Sequence, residues 1–168
     1  DTAAGSGASA SAAQQDLPFP LTVDLGDFRE TKRDAEDRVI QSPLYQSDGS
    51  VACSVVTYGE TGERASSGTY DLLGKLISMT LYLEYDGDGH VLRYETYDEN
   101  GNLELQVQNT FQDGTLQKSE QYNGAGSLTL TTTFTTQENA DGSTVQIFQI
   151  FDQNGMFYHS SKEERDAG

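Results

Sequence analysis

The residues best placed to do chemistry are carboxylates spaced two apart. Glu84, Asp86, Asp88, Gly89 and Glu95 occupy positions one, three, five, six and twelve of a stretch that nearly matches the calcium loop of a helix–loop–helix site. In such a loop alternate oxygens surround the ion and a final bidentate acid closes the cage. Three features oppose calcium. Glu84 stands where the shorter Asp is required, the flanks alternate as strands where helices are required, and the stretch containing Asp98, Asn100 and Gly101 in the same register has Val107 at the bidentate place. Turn formation accounts for the same acids, because Asp and Asn side chains bond to nearby backbone amides and Gly supplies positive φ. A metal at Asp86, Asp88 and Glu95 is therefore not expected, nor is any cofactor.

Other chemistry is sparse. Two His, one Cys and no Trp leave few nucleophiles, bases or soft ligands among 168 residues. His90 falls in a turn, and Cys53 sits in the apolar run Val51–Val56, where a buried free thiol is expected. A carboxylate pair acting as a glycoside hydrolase or other hydrolase is the alternative reading, since acids are abundant. Most of them, however, lie in turns or on a wet face, where nothing raises a pKa. The formal net charge of −17 removes the basic footprint that nucleic acid requires. No apolar run approaches the 18 residues of a membrane span, so no transmembrane segment is expected.

The elements that would carry these residues are read from a repeat. An aromatic, a short polar stretch with Gly and usually an apolar residue recur as Tyr70-DLLGK-Leu76, Tyr85-DGDGH-Val91, Tyr97-DENGN-Leu103, Tyr122-NGAGS-Leu128 and Phe151-DQNGM-Phe157, with looser copies at Tyr45, Tyr58, Phe111 and Phe134. A period near 13 residues is too short for helical repeats and fits one strand plus one turn. Between turns the residues alternate, as in Leu103–Phe111 and Leu128–Phe134. The fold class is all-β: an antiparallel meander of about ten or eleven strands. It curls into a barrel-like roll to hide one apolar face, or else forms a single-layer hairpin spiral. Even spacings such as Leu103 to Phe111 put each turn aromatic on that one face: Tyr97, Phe111, Tyr122, Phe134 and Phe151 inward, Glu104, Gln106, Thr129 and Thr131 outward. The odd interval from Leu76 to Tyr85 predicts a bulge or a different turn register there. Phe19–Leu25 also alternates and reads as a strand, whereas Arg29–Arg38, with eight charges in ten residues, reads as a solvated loop or short surface helix.

The Tyr97-Asp98-Glu99-Asn100-Gly101-Asn102-Leu103 unit resembles the YD repeat of bacterial Rhs and wall-associated proteins, and Tyr85, Tyr70 and Phe151 begin looser copies. The resemblance spans residues 45–157 and implies β-hairpin spirals; it carries no catalytic residues. Residues 1–16, rich in Ala, Ser and Gly, read as a flexible tether, 17–160 as one domain and 161–168 as a frayed tail. The tether resembles the spacer of exported bacterial proteins, lipoproteins in particular. The expectation is an exported, non-catalytic binding or scaffold protein of the cell surface or periplasm, whose partner is a glycan or another protein. Tyr82 opposite Tyr94, with Gln106 and Gln121 further along the same row, is the candidate ligand surface: rings for sugar faces and amides for hydroxyls.

Overall fold

A computed structural model of the chain describes residues 16–165, so the expected tether lies outside the described residues apart from Asp16. Eleven strands follow one another: β1 (Lys32–Arg33), β2 (Val39–Tyr45), β3 (Val51–Tyr58), β4 (Arg64–Tyr70), β5 (Leu76–Tyr85), β6 (Val91–Tyr97), β7 (Leu103–Gln112), β8 (Thr115–Asn123), β9 (Leu128–Glu138), β10 (Thr144–Asp152) and β11 (Phe157–Arg165). They form one antiparallel sheet in strict chain order. The expected barrel-like roll does not form, because β1 pairs only with β2 and β11 only with β10, leaving both edges open. The last strand also runs beyond residue 160, pairing Arg165 with Thr144 where a frayed tail is expected.

The turns follow one local rule. In five of them an Asx side chain, from Asp71, Asp86, Asp98, Asn123 or Asp152, accepts the backbone N–H groups two and four residues on. A backbone bond then closes the turn on a glycine three residues after the Asx, as from Gly101 N–H to the Asp98 carbonyl at 3.0 Å. Gly101 has φ 80°, a left-handed conformation that costs a residue without a Cβ little.

Each of these turns is followed by a bulge. Tyr97 pairs with Leu103 but Thr96 pairs with Leu105, so Glu104 is one residue in excess. The same excess occurs at Ala65, Ile77, Leu92, Thr129 and Tyr158, each second in the strand leaving the turn, and at Gln117, third in β8. Leu83 adds a further bulge within β5, inside the odd interval where one is expected. An inserted residue reverses the parity of everything beyond it. The expected single aromatic face is thereby corrected. By register Tyr70, Tyr97, Tyr122 and Phe151 share one face, here called inner, with Gln106 and Thr131, while Tyr85, Phe111 and Phe134 lie on the other, outer face.

What covers the inner face is the segment expected to be a strand. Phe19–Leu25 makes only an isolated bridge, Thr22 to Lys75, and crosses the sheet as a strap. Pro18 and Pro20 remove ladder donors on either side of Phe19, which disfavours strand pairing there. Phe19 and Leu25 pack on Cys53, Tyr70, Leu76, Met79 and Leu81 to form the core. The Tyr70 hydroxyl donates to the Pro20 carbonyl at 3.0 Å, and Gln41 Nε2 and Lys32 Nζ donate to the Leu25 carbonyl at 2.9 and 2.6 Å. Val23 N–H donates to the Gly74 carbonyl at 2.8 Å, an approach so close that a Cβ on Gly74 would lie 1.9 Å from the Val23 oxygen. Arg29–Arg38 is a loop containing the two residues of β1, with Arg38 over the Tyr58 ring.

Only the first part of the sheet has this cover, so ring deletions should differ in cost. Phe19→Ala removes a buried strap ring and should cost about 3–5 kcal/mol. Phe111→Ala removes a half-buried ring outside the strap-covered core and should cost less than half of that in urea unfolding. Equal losses would contradict this distribution of burial.

Candidate functional site

Among the described residues, no strap crosses the outer face. Tyr82 lies directly opposite Tyr94, as the spacing predicts, with ring centroids 6.4 Å apart and planes inclined by 48°. Tyr85 extends the strip, its ring 6.5 Å from that of Tyr82. The bulge at Leu83 makes this possible, because it returns Tyr85 to the face of Tyr82 despite their odd separation. The Tyr85 hydroxyl donates to the Arg64 carbonyl at 2.7 Å, which fixes the ring. Tyr94 and Tyr85 have phenol pKa values pushed up by burial first and by the neighbouring Tyr82 second, so these two rings are neutral at pH 7.

The row beyond Tyr94 departs from expectation. Because Glu104 is inserted, Tyr94 faces Val107 and not Gln106, and Val107 in turn faces Gln121. Gln121 therefore joins the tyrosine row and Gln106 does not. Gln106 pairs with Glu95 on the inner face, where its Nε2 donates to Glu95 Oε1 at 3.1 Å. The outer row reads Tyr82, Tyr94, Val107, Gln121, Leu130: two rings, an amide and two aliphatic groups.

Glu95 is likewise separated from the Asp86/Asp88 turn. Its second oxygen accepts the Tyr97 hydroxyl at 2.6 Å, and burial together with this bond pushes the Tyr97 phenol up to about 12. The group of possible ligands at the β5–β6 turn is instead Asp86, Asp88 and His90, with ligand atoms within 4.8 Å of one another. The turn already uses most of what they offer. Asp86 Oδ1 accepts the N–H groups of Asp88 and His90, Asp86 Oδ2 is 2.8 Å from His90 Nδ1, and the His90 ring stacks on Phe111 at 4.6 Å.

A polar groove on the inner face holds Glu84, Arg93, Gln108 and Glu120 on four successive strands. Arg93 Nε is buried there without a hydrogen-bond partner among the described residues. Glu84 and Glu120 stand three strand spacings apart, roughly 14 Å between backbones. Glycosidase carboxyl pairs stand about 5 to 9.5 Å apart. Lys118 also neutralises Glu120 at 3.0 Å. Cys53 is buried, which pushes its thiol pKa up and leaves it a poor nucleophile.

Sequence reasoning missed a cleft between strap and sheet, lined by Phe19, Val55, Tyr70, Met79, Leu81 and others. The available signal was the pair of prolines around Phe19, which marks the segment as something other than a paired strand. No protein-family model matches the chain, and no curated protein matches it. Among the described residues, no helix is long and apolar enough to cross a membrane.

The turn chemistry has a titration signature. Asp86 is held below the ordinary 3.8 chiefly by the His90 backbone N–H, and Asp98 chiefly by the Asn102 side chain. A depressed folded pKa gives stabilisation that is complete above the unfolded value and is lost as pH falls through the folded one. Asn123 serves the same two amides in its own turn. Asp98→Asn should therefore keep the turn while removing its titration, and its melting temperature should fall less than that of the parent between about pH 5 and about pH 2. Superimposable acid limbs would show that the Asp98 carboxylate is not coupled to folding.

Proposed function

We propose that this chain is an exported, non-catalytic binding or scaffold protein of the bacterial cell surface or periplasm, and that it engages glycan through the outer tyrosine strip. The observation that carries the reading is the arrangement of Tyr82, Tyr94 and Tyr85 as three adjoining, partly exposed rings on a face that the strap leaves open. Sugar rings present flat apolar faces that pack on aromatic side chains, and Gln121 supplies an amide for hydroxyls further along the row. An apolar strip on a sheet otherwise rich in Thr, Gln and Ser supports this reading, because such exceptions to a polar surface favour partner binding. The likeness of the Tyr-Asp-x-x-Gly turns to YD-repeat hairpins, together with the Ala/Ser/Gly-rich composition of residues 1–15, supports a surface-exposed setting. Hydrolysis is the weaker reading, because the groove acids Glu84 and Glu120 are spaced too widely and Arg93 and Gln108 intervene.

Purified chain screened against neutral glycans and cell-wall fragments should bind one class saturably. The double change Tyr82→Ala, Tyr94→Ala should weaken that binding at least tenfold, equivalent to about 1.4 kcal/mol, with the β-sheet circular dichroism retained. Undiminished binding by the folded double variant would exclude the strip as the site.

A further inference from the structure

The cleft beneath the strap, open to solvent along one side, has a volume of about 350 Å³. Protein interiors pack with few voids larger than one water, whose share of the liquid is about 30 Å³. The volume falls at the lower end of small-molecule sites, which begin near 300 Å³, and what sets this cleft apart is its apolar lining. The walls come from two sources: Phe19, Pro20 and Val23 of the strap, and Val55, Tyr70, Met79 and Leu81 of the inner sheet face. Gly68 helps to shape the interior. A Cβ there would lie 2.7 Å from both Met79 Cε and the Tyr70 ring, so the missing side chain is what lets those two groups lie where they do.

Two polar features interrupt the apolar lining: the Tyr70 hydroxyl, whose proton is already given to the Pro20 carbonyl, and a hydroxyl pair. The hydroxyls of Thr57 and Ser66 sit 2.6 Å apart on neighbouring strands, and Ser66 is only 8% exposed. One O–H is used between them, which leaves the other O–H and spare lone pairs for a third group. Neither Lys nor Arg lines the cleft, and the chain carries a net charge of −17, so an anionic head group is disfavoured. Leu83, at 41% exposure, stands among the lining residues and leaves the cleft in reach of solvent.

We propose that this cleft binds a compact, uncharged, largely apolar small molecule that offers one hydrogen-bonding group to the Thr57–Ser66 hydroxyl pair. The site lies on the face opposite the tyrosine strip and does not depend on it. N-phenyl-1-naphthylamine, which is neutral and has one N–H, serves as probe, and its sulfonated relative 1-anilinonaphthalene-8-sulfonate as the anionic comparison. The neutral probe should bind saturably at one per chain, and the sulfonate at least tenfold more weakly. Carbon-13 labelling of the methionine methyls gives only two signals, from Met79 in the cleft and from Met156 exposed in the β10–β11 turn. The probe should shift Met79 and leave Met156 in place. Ala65→Leu, which fills the cleft, should weaken the probe at least tenfold. The methionine readout needs no substitution and stands whether or not that variant folds. Unsaturable binding, a shift confined to Met156, equal affinity for the sulfonate, or undiminished affinity in folded Ala65→Leu would each overturn the proposal.

Discussion

Each Asx–Gly turn closes on a single side-chain oxygen that accepts two backbone amides, and the strand leaving it carries one residue more than its partner needs. That surplus residue governs the architecture. Without it, every turn aromatic would fall on one face, and a sheet with one continuous apolar face has to close or be buried. With it, parity reverses at most of the hairpins, β2–β3 and β9–β10 being continuous in register. The aromatics at one end of the strands point inward and those at the other end point outward. Neither face is apolar enough to demand complete burial, and the sheet remains open.

The strap meets what demand there is. It buries the inner face of β3–β6 and is held by hydrogen bonds near both ends, from Tyr70 to Pro20 and from Gln41 and Lys32 to Leu25. Beyond β6 the core thins, and among the described residues only Val107 and Val145 are buried apolar side chains past it. The later strands rest on backbone ladders and cross-strand pairs such as Phe134 with Phe148 and Phe151 with Phe157. The same division separates the two surfaces of interest. The cleft exists because the strap roofs the inner face, and the tyrosine strip is open because the outer face has no roof among the described residues.

Much of this was legible in the sequence, and what was not has physical causes. Turns were readable because Asp, Asn and Gly act within five residues of one another, and the Tyr82–Tyr94 pair followed from a short count across one turn. The bulges left no mark of their own, since Glu104, Gln117 and Thr129 are ordinary strand residues. Gln106 was consequently assigned to the wrong face, while Gln121, past a second inversion, returned to the right one. Phe19–Leu25 shows period two whether it pairs or merely lies extended, so alternation alone could not tell strap from strand. The cleft depends on contacts such as Tyr70 to Pro20, fifty residues apart, which no local pattern encodes.

The inserted residue after the turn decides which side chains share each face, and interstrand nuclear Overhauser effects in the labelled chain read it directly. The bulged register gives cross-strand contacts pairing Thr96 with Leu105, Tyr94 with Val107 and Val107 with Gln121. A spectrum pairing Thr96 with Glu104 and Tyr94 with Gln106 would contradict it, placing Gln106 back beside the tyrosines and the turn aromatics on a single face.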